Sequence, residues 1–319
     1  MGVGLEALAP ETERFLDDVV HGLSARQKWL PPKWLYDARG SALYELICEQ
    51  PEYYPARTEL GILERDATEI ARAIGPGALL FEYGAGSARK TSLLLSALAR
   101  PAGYVPVDIS GDALLAATEA LVRQFPRLLV RPVVADFTRP LALPMEDLPA
   151  RRRVAYFPGS TIGNFDPPEA VALLRRMAQD AGPGGALVIG VDLAKDEGTL
   201  VRAYDDARGV TAAFDLNLLA RMNAELGSDF RLASFRHRSV WNARRSRIEM
   251  HLESREPQLA SVAGRRFAFD EGETIHTESA YKWEPRAFDA LAAIAGWRPE
   301  QTWTDDRAWF AVKLYSVAE

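Results

Sequence analysis

The segment Phe81-Glu82-Tyr83-Gly84-Ala85-Gly86-Ser87 joins the apolar run ALLFEY to SARKTSLLLSALAR, whose apolar residues fall at helical spacing. Two glycines one residue apart let a strand turn at once into a helix. Such a turn aims backbone N–H groups and a helix N-terminus at a nucleotide-like ligand. Asp108 closes the next apolar run, 24 residues after Gly84, where a carboxylate meets the hydroxyls of a ribose. Asp136 closes a third run, and its neighbour Phe137 offers a ring to an adenine. A lone Gly-x-Gly is explained as well by a tight turn. Strand, loop, helix and two strand-end acids together favour a ligand site.

The third glycine of a dinucleotide fingerprint would fall at position 89, which is Arg89. That disfavours NAD and FAD. Lys90-Thr91 follows Arg89 with no glycine before the lysine, so a phosphate-binding P-loop is excluded. Glu82, two residues before the first glycine, fits S-adenosylmethionine instead. That ligand has no phosphate, and its cationic end can use carboxylates. Beyond a fourth apolar run lies Gly159-Ser160-Thr161-Ile162-Gly163-Asn164-Phe165. Asn164 there could hold a carboxylate or an amine, or form an Asx turn or cap the helix beginning at Pro167. Tyr36, Tyr53, Tyr54 and Tyr204 fall outside the sheet, where packing is the commoner role of a tyrosine. Glu278 lies in a strand-like run, where a surface ion pair is the plainer reading. His21, His237, His251 and His276 lack ligand spacing, and Cys48 is the single cysteine, so neither a metal site nor a disulfide is expected.

The elements that must carry these residues alternate. An amphipathic helix over 11–30 is ended by Pro31-Pro32, and a second over 58–74 is capped by Thr58. Strands follow at 78–83, 103–108, 128–136, 154–158 and 186–191, with helical runs after the first, second and fourth. This is the pattern of a doubly wound parallel sheet. Residues 196–226 read as helix, 230–283 as antiparallel strands, 284–296 as helix, and the end as a hairpin. The expected architecture is an α/β domain interrupted by an α+β insertion.

Composition agrees with a globular chain. Of 319 residues, 38 are Lys or Arg and 44 Asp or Glu, a net charge of −6, with 48% apolar residues. Disorder is excluded, and a mild acidic excess disfavours nucleic acid as partner. The first residues show no signal peptide, and no apolar run reaches membrane-spanning length. A cytoplasmic monomer acting on a small molecule is expected.

PPKWLYDARGSALYELICEQPEYYPARTE, FEYGAGSARKTSLLL, YVPVDIS, FPGSTIGNFDP, AYDDARGVTAAFDLN and RIEMHL, in this order and spacing, closely resemble the histidine Nα-methyltransferases of ergothioneine biosynthesis. The resemblance runs from about residue 14 to the end. It implies a Rossmann-like class I methyltransferase domain, 61–195 with 286–319, and a second, substrate-recognition domain, 1–60 with 196–285. It also implies trimethylation of the α-amino group of L-histidine by S-adenosylmethionine. Gly84, Lys90, Asp108, Asp136 and Phe137 match cofactor positions, and Gly86 completes their loop. Tyr36, Tyr53, Asn164 and Tyr204 match positions around the amino acid, Met250 a side-chain pocket, and Glu278 the acid that reads the imidazole. Tyr36, Tyr53 or a water beside Asn164 would take the amine proton. In one position the chain departs from the family: Ala280 stands where the motif has a serine supporting imidazole recognition. Ser279, one residue earlier, should face the other side of the strand.

Overall fold

The computed structural model describes residues 11–86 and 88–318. Residues 1–10, which begin the stretch read as lacking a signal peptide, and Ser87 of the glycine loop lie outside the described residues. The chain divides into two compact units. The first comprises the described residues up to Tyr53 with Glu197–Ser279; the second comprises Tyr54–Asp196 and the chain from Ala280 onward.

Helix α1 (Glu11–Ser24) buries Phe15, Val19 and Leu23. The expected continuation to residue 30 does not form, because Lys28–Trp29 (β1) pairs in parallel with Ile275 and His276. A partner distant in sequence outweighs local helical preference here. Gly22 makes room for the reversal: a Cβ there would lie 2.0 Å from the Trp29 carbonyl oxygen. Helix α2 (Ala38–Cys48) is capped by Asp37, which accepts the Gly40 N–H at 2.6 Å. Helix α3 (Tyr54–Ile74) starts four residues before the expected cap. Pro55 fits its first turn, where the missing N–H is not needed. Thr58 is interior and donates its hydroxyl back to the Tyr54 carbonyl at 2.8 Å.

Next come β2 (Ala78–Tyr83), α4 (Ala88–Ala97), β3 (Gly103–Asp108), α5 (Gly111–Gln124), β4 (Val133–Val134), β5 (Arg152–Phe157), α6 (Pro167–Ala181) and β6 (Ala186–Asp192). Strands β2 and β6 are buried throughout, as continuous apolar runs in a covered parallel sheet should be. The run 128–136 yields only two paired residues, Val133 and Val134, and a lone bridge at Val130. Pro132 removes a ladder donor between them, and Val134 at the sheet's edge is 57% exposed.

The expected helix 196–226 is two helices, α7 (Glu197–Ala203) and α8 (Val210–Leu226), with Gly209 at φ 69° turning the chain between them. The remaining elements are β7 (Phe235–Asn242), β8 (Arg247–Ser254), β9 (Gln258–Val262), β10 (Arg265–Phe269), β11 (Thr274–Tyr281), α9 (Pro285–Ile294), β12 (Trp297–Thr304) and β13 (Phe310–Val317). In the first unit the sheet order is β1-β11-β8-β7, beside a β9–β10 ribbon. In the second it is β12-β13-β6-β5-β2-β3-β4, parallel from β6 to β4 and antiparallel at β13 and β12. This is the Rossmann-like, doubly wound sheet. The chain runs outward from β2 through β3 to β4, then returns on the other side of β2 through β5 and β6. The switch point between β2 and β5 is where such sheets bind ligands, beyond the strands' carboxyl ends.

Asp192, fully buried at the end of β6, organises that end of the second unit. It accepts from the Tyr54 hydroxyl at 2.7 and 2.9 Å, from Lys195 Nζ at 2.6 Å and from Lys282 Nζ at 2.8 Å. Burial lowers the Lys195 ammonium to about 8 against the pull of Asp192. Asp192→Asn would leave two buried ammoniums without their anion. Uncovering a buried charge costs about 3–5 kcal/mol, so the urea midpoint should drop sharply, and adding Lys195→Met should recover part of the loss. An unchanged midpoint would show that the cluster does not hold the unit together.

Candidate active site

At the second unit's glycine loop, Gly84 has φ 77°, a conformation that favours glycine. A Cβ on Gly84 would meet the Phe137 ring at 3.6 Å, whereas one on Gly86 would meet nothing within 4 Å. The loop amides do not face a ligand as expected. Gly84 and Ala85 N–H donate to the Val107 carbonyl at 2.8 and 3.1 Å, and Gly86 N–H to the Gly84 carbonyl at 2.9 Å. The loop thus offers close approach over Gly86 but no N–H from these three residues. That suits a ligand without phosphate.

Asp108 ends β3 and accepts the Ser110 N–H at 2.8 Å; burial raises its carboxyl from the ordinary range. Asp136 lies beyond the two-residue β4 rather than at a strand end, because that strand stops early. It accepts the N–H and hydroxyl of Thr138 at 3.0 and 2.5 Å. Phe137 stacks on Tyr83, with ring centroids 5.5 Å apart and planes 8° apart. Glu82 is not turned to a ligand. Its carboxylate is buried and accepts from Thr91 at 2.8 Å and Tyr104 at 2.5 Å, and burial lifts it to about 7. Lys90, in the first turn of α4, pairs with the buried Glu59 at 2.5 Å. The second unit thus places a carboxylate at the end of β3, the Phe137 ring and an open glycine at the carboxyl end of its sheet.

After β5, Gly159 and Ser160 adopt φ of 80° and 56° and lead into the tight turn Thr161–Asn164. Asp166, not Asn164, occupies the cap position of α6, with Glu169 accepting the Asp166 N–H at 3.0 Å. Asn164 is half-buried and makes no side-chain hydrogen bond among the described residues. Its amide is therefore available to a ligand. Gly163 packs on Tyr281, whose backbone N a Cβ would approach to 3.2 Å; Ala280, beside it, is buried.

The first unit brings Tyr36, Tyr53 and Tyr204 into one aromatic cluster. Tyr53 meets Tyr204 edge-on at 5.9 Å, and Tyr36 meets Tyr44 at 5.7 Å and Phe214 at 5.5 Å. Tyr44 and Phe214 escaped the sequence reading. Both sit on helices whose packing, α2 against α8, joins distant parts of the chain. The Tyr44 and Tyr53 hydroxyls bond each other. Burial, then the Glu278 charge, holds the Tyr36 phenol well above its ordinary range; burial, then Tyr204, does so for Tyr53. Neither is a phenolate at neutral pH. Glu278 and Met250 are buried on neighbouring strands, and Thr277 donates to the Met250 carbonyl at 3.1 Å. Ser279 Oγ lies 3.2 Å from His276 Nε2, and the His276 ring lies 5.0 Å from that of His251. The Ser279 hydroxyl is thus engaged on the histidine side.

His237, also absent from the sequence reading of the site, lies between Asp215 at 2.7 Å and the Tyr204 carbonyl at 2.8 Å. Burial opposes its charge, yet Asp215 raises its pKa above the ordinary imidazole value. Because the folded value is raised, the stability it contributes is full below the unfolded value and fades as pH rises through the folded one. Urea midpoints measured upward from about pH 6 should decline more steeply in the native protein than in Asp215→Asn. Equal slopes would mean that the imidazolium pair contributes nothing.

Among the described residues no group of three metal-ligating side chains occurs, and no helix is long and apolar enough to cross a membrane. Residues 15–317 match the family model of S-adenosylmethionine-dependent, histidine-specific methyltransferases. The histidine N-alpha-methyltransferase of Mycolicibacterium smegmatis is 42% identical over 304 residues, 93% of each chain. That of Mycobacterium tuberculosis is 39% identical over 303 residues, again 93% of each. A 4-dimethylallyltryptophan N-methyltransferase of Epichloe festucae var. lolii is 27% identical over 337 residues, 96% of this chain and 97% of the relative. A match to the family model over nearly the full length, with relatives at 39–42% identity, shows that the chain belongs to the S-adenosylmethionine-dependent histidine-specific methyltransferases.

Proposed function

We propose that this enzyme methylates the α-amino nitrogen of L-histidine three times in succession, the step that feeds ergothioneine assembly. The observation that carries the reading is the cluster of neutral tyrosines, Tyr36, Tyr53 and Tyr204, near the Glu278 charge. Aromatic faces stabilise an ammonium whether or not it is methylated, by roughly 0.5–2 kcal/mol, so the acceptor stays bound in favourable surroundings as methyls accumulate.

S-adenosylmethionine supplies an electrophilic sulfonium methyl. In this reading Asp108 holds the ribose, Asp136 and Phe137 the adenine, Gly84 and Gly86 permit close approach, and Lys90 serves the amino-acid end. Tyr36, Tyr53, Tyr204 and Asn164 orient the substrate's amine and carboxylate for in-line attack, where positioning supplies most of the rate. Glu278 accepts from an imidazole N–H, and Met250 packs beside the ring. The phenols are held neutral, so Tyr36 and Tyr53 orient the amine, and water beside Asn164 takes its proton. A cytoplasmic monomer suffices for this chemistry.

Ala280 favours a second reading, the same transfer with relaxed side-chain choice. The family's serine hydroxyl is absent, and Ser279, engaged with His276, does not replace it. A lost neutral hydrogen bond costs about 0.5–1.5 kcal/mol, or roughly 2- to 12-fold in affinity. In this reading the smaller side chain leaves room for a larger aromatic amino acid.

Three measurements test these assignments. Histidine with excess cofactor should pass through mono- and dimethyl forms to a trimethyl product, with every methyl placed on the α-nitrogen by tandem mass spectrometry. A ring-methylated product, or arrest after one transfer, refutes the reading. Calorimetry on Asp108→Ala should show cofactor affinity weakened at least ~10-fold, and an unchanged value removes Asp108 from the site. Comparing kcat/KM for histidine, tryptophan and tyrosine in the native enzyme and in Ala280→Ser should shift preference toward histidine. Unchanged ratios would show that position 280 does not read the ring.

A further inference from the structure

We propose that Glu59 is a positioning residue whose carboxylate clamps the helix bearing Lys90 to the Gly159–Asn164 loop, holding cofactor-side and substrate-side groups in one arrangement. The inference rests on the roles proposed above for Lys90 and Asn164.

Glu59 lies in α3 and is 1% exposed. One oxygen accepts from Lys90 Nζ at 2.5 Å, and both lie within reach of the Gly159 N–H, at 2.8 and 3.0 Å. Gly159 is the first residue of the loop with left-handed backbone, followed by Ser160 and then the turn that presents Asn164. Space for the carboxylate comes from Gly190 on β6, where a Cβ would lie 2.1 Å from Glu59 Oε1. Four parts of the second unit therefore meet on one buried group: α3, the start of α4, the end of β5 and the middle of β6.

Ordinary packing does not call for this arrangement. A buried ion pair is often replaceable by apolar side chains without loss of stability. Here, however, the acid also anchors a backbone N–H at the root of a loop whose backbone is unusual. The Lys90 and Glu59 charges are both felt at Glu82, two residues before the glycine turn. The clamp thus joins the first turn of the helix that follows the glycine loop to the first residue of the loop leading to Asn164. Methyl transfer needs donor and acceptor aligned, and a misplacement of about 1 Å can cost on the order of 100-fold in rate.

The test uses the full chain with Glu59→Gln, and with Gly190→Ala, which leaves Glu59 in place but crowds its carboxylate. In the ligand-free protein, hydrogen–deuterium exchange over 159–164 should accelerate in both variants while distant strands stay protected. With substrates, kcat should fall at least ~10-fold at saturating cofactor. Exchange over 159–164 that matches the native protein overturns the clamp, as does a kcat within threefold of native. Should Glu59→Gln not fold, Glu59→Asp keeps the charge, shortens the reach and is read in the same way. The exchange measurement needs no methyl acceptor. If histidine is the wrong substrate, exchange still accelerates and only the turnover assay is silent until the right amino acid is supplied; if the clamp is wrong, exchange is unchanged whatever the substrate.

Discussion

One buried carboxylate, Asp192, sits where the chain repeatedly changes course. The chain passes between its two units at 53/54, 196/197 and 279/280. The three cationic or hydroxyl groups on Asp192 come from Tyr54, Lys195 and Lys282, each within a few residues of one of those points. The Trp283 N–H also donates to the Asp192 carbonyl at 3.0 Å. A long insertion can diverge in sequence and still leave the parent sheet intact if its two ends are fixed. Here both ends, and the start of α3, are fixed to the same side chain. Its desolvation is offset by two cations and a phenol, so this end of the second unit is held by specific partners rather than by apolar packing alone.

In the first unit two histidines, their pKa values shifted in opposite directions, each bind a main-chain carbonyl. His237 lies between Asp215, which raises its pKa against the effect of burial, and the Tyr204 carbonyl. His276 is lowered to about 4, chiefly by burial and then by His251, so it is neutral and binds the Glu278 carbonyl. Each fixes the main chain of a residue proposed to touch the amino acid. Because the pKa of His276 is lowered and that of His237 raised, the two anchors respond differently to pH.

Strands β2, β3, β5 and β6 were readable because buried parallel strands are continuous apolar runs. The second unit's turn from β2 into α4 was readable because a glycine pair between strand and helix is a local pattern. What failed was decided by distant partners or by single residues. The pairing of β1 with β11 ended α1 early, Pro132 cut β4 to two residues, and Gly209 split one helix into two. Glu82 was assigned to the ligand because spacing alone does not say which face of a fully buried strand a side chain takes. Tyr44, Phe214 and Glu59 lie within the segments that carry the resemblance, and His237 outside them, but neither residue type nor spacing marks any of the four; long-range packing brings them to their places. Resemblance supplied Tyr36, Tyr53, Tyr204 and Glu278, which composition and periodicity left as ordinary packing or surface residues.

The glycine loop has a consequence for selectivity among adenosine compounds. Its first three amides are already committed to backbone carbonyls, and the nearby lysine is committed to Glu59. A nucleoside triphosphate shares the base and sugar of S-adenosylmethionine but carries several negative charges on the 5′ carbon. It would find no free N–H on Gly84, Ala85 or Gly86, and the carboxylate of Glu59 lies on the lysine beside the loop. In a cell where ATP is the commonest adenosine derivative, a loop that keeps its donors to itself discriminates by tail rather than by base. The backbone hydrogen bonds of these three residues thus weigh against a phosphate tail at the turn itself.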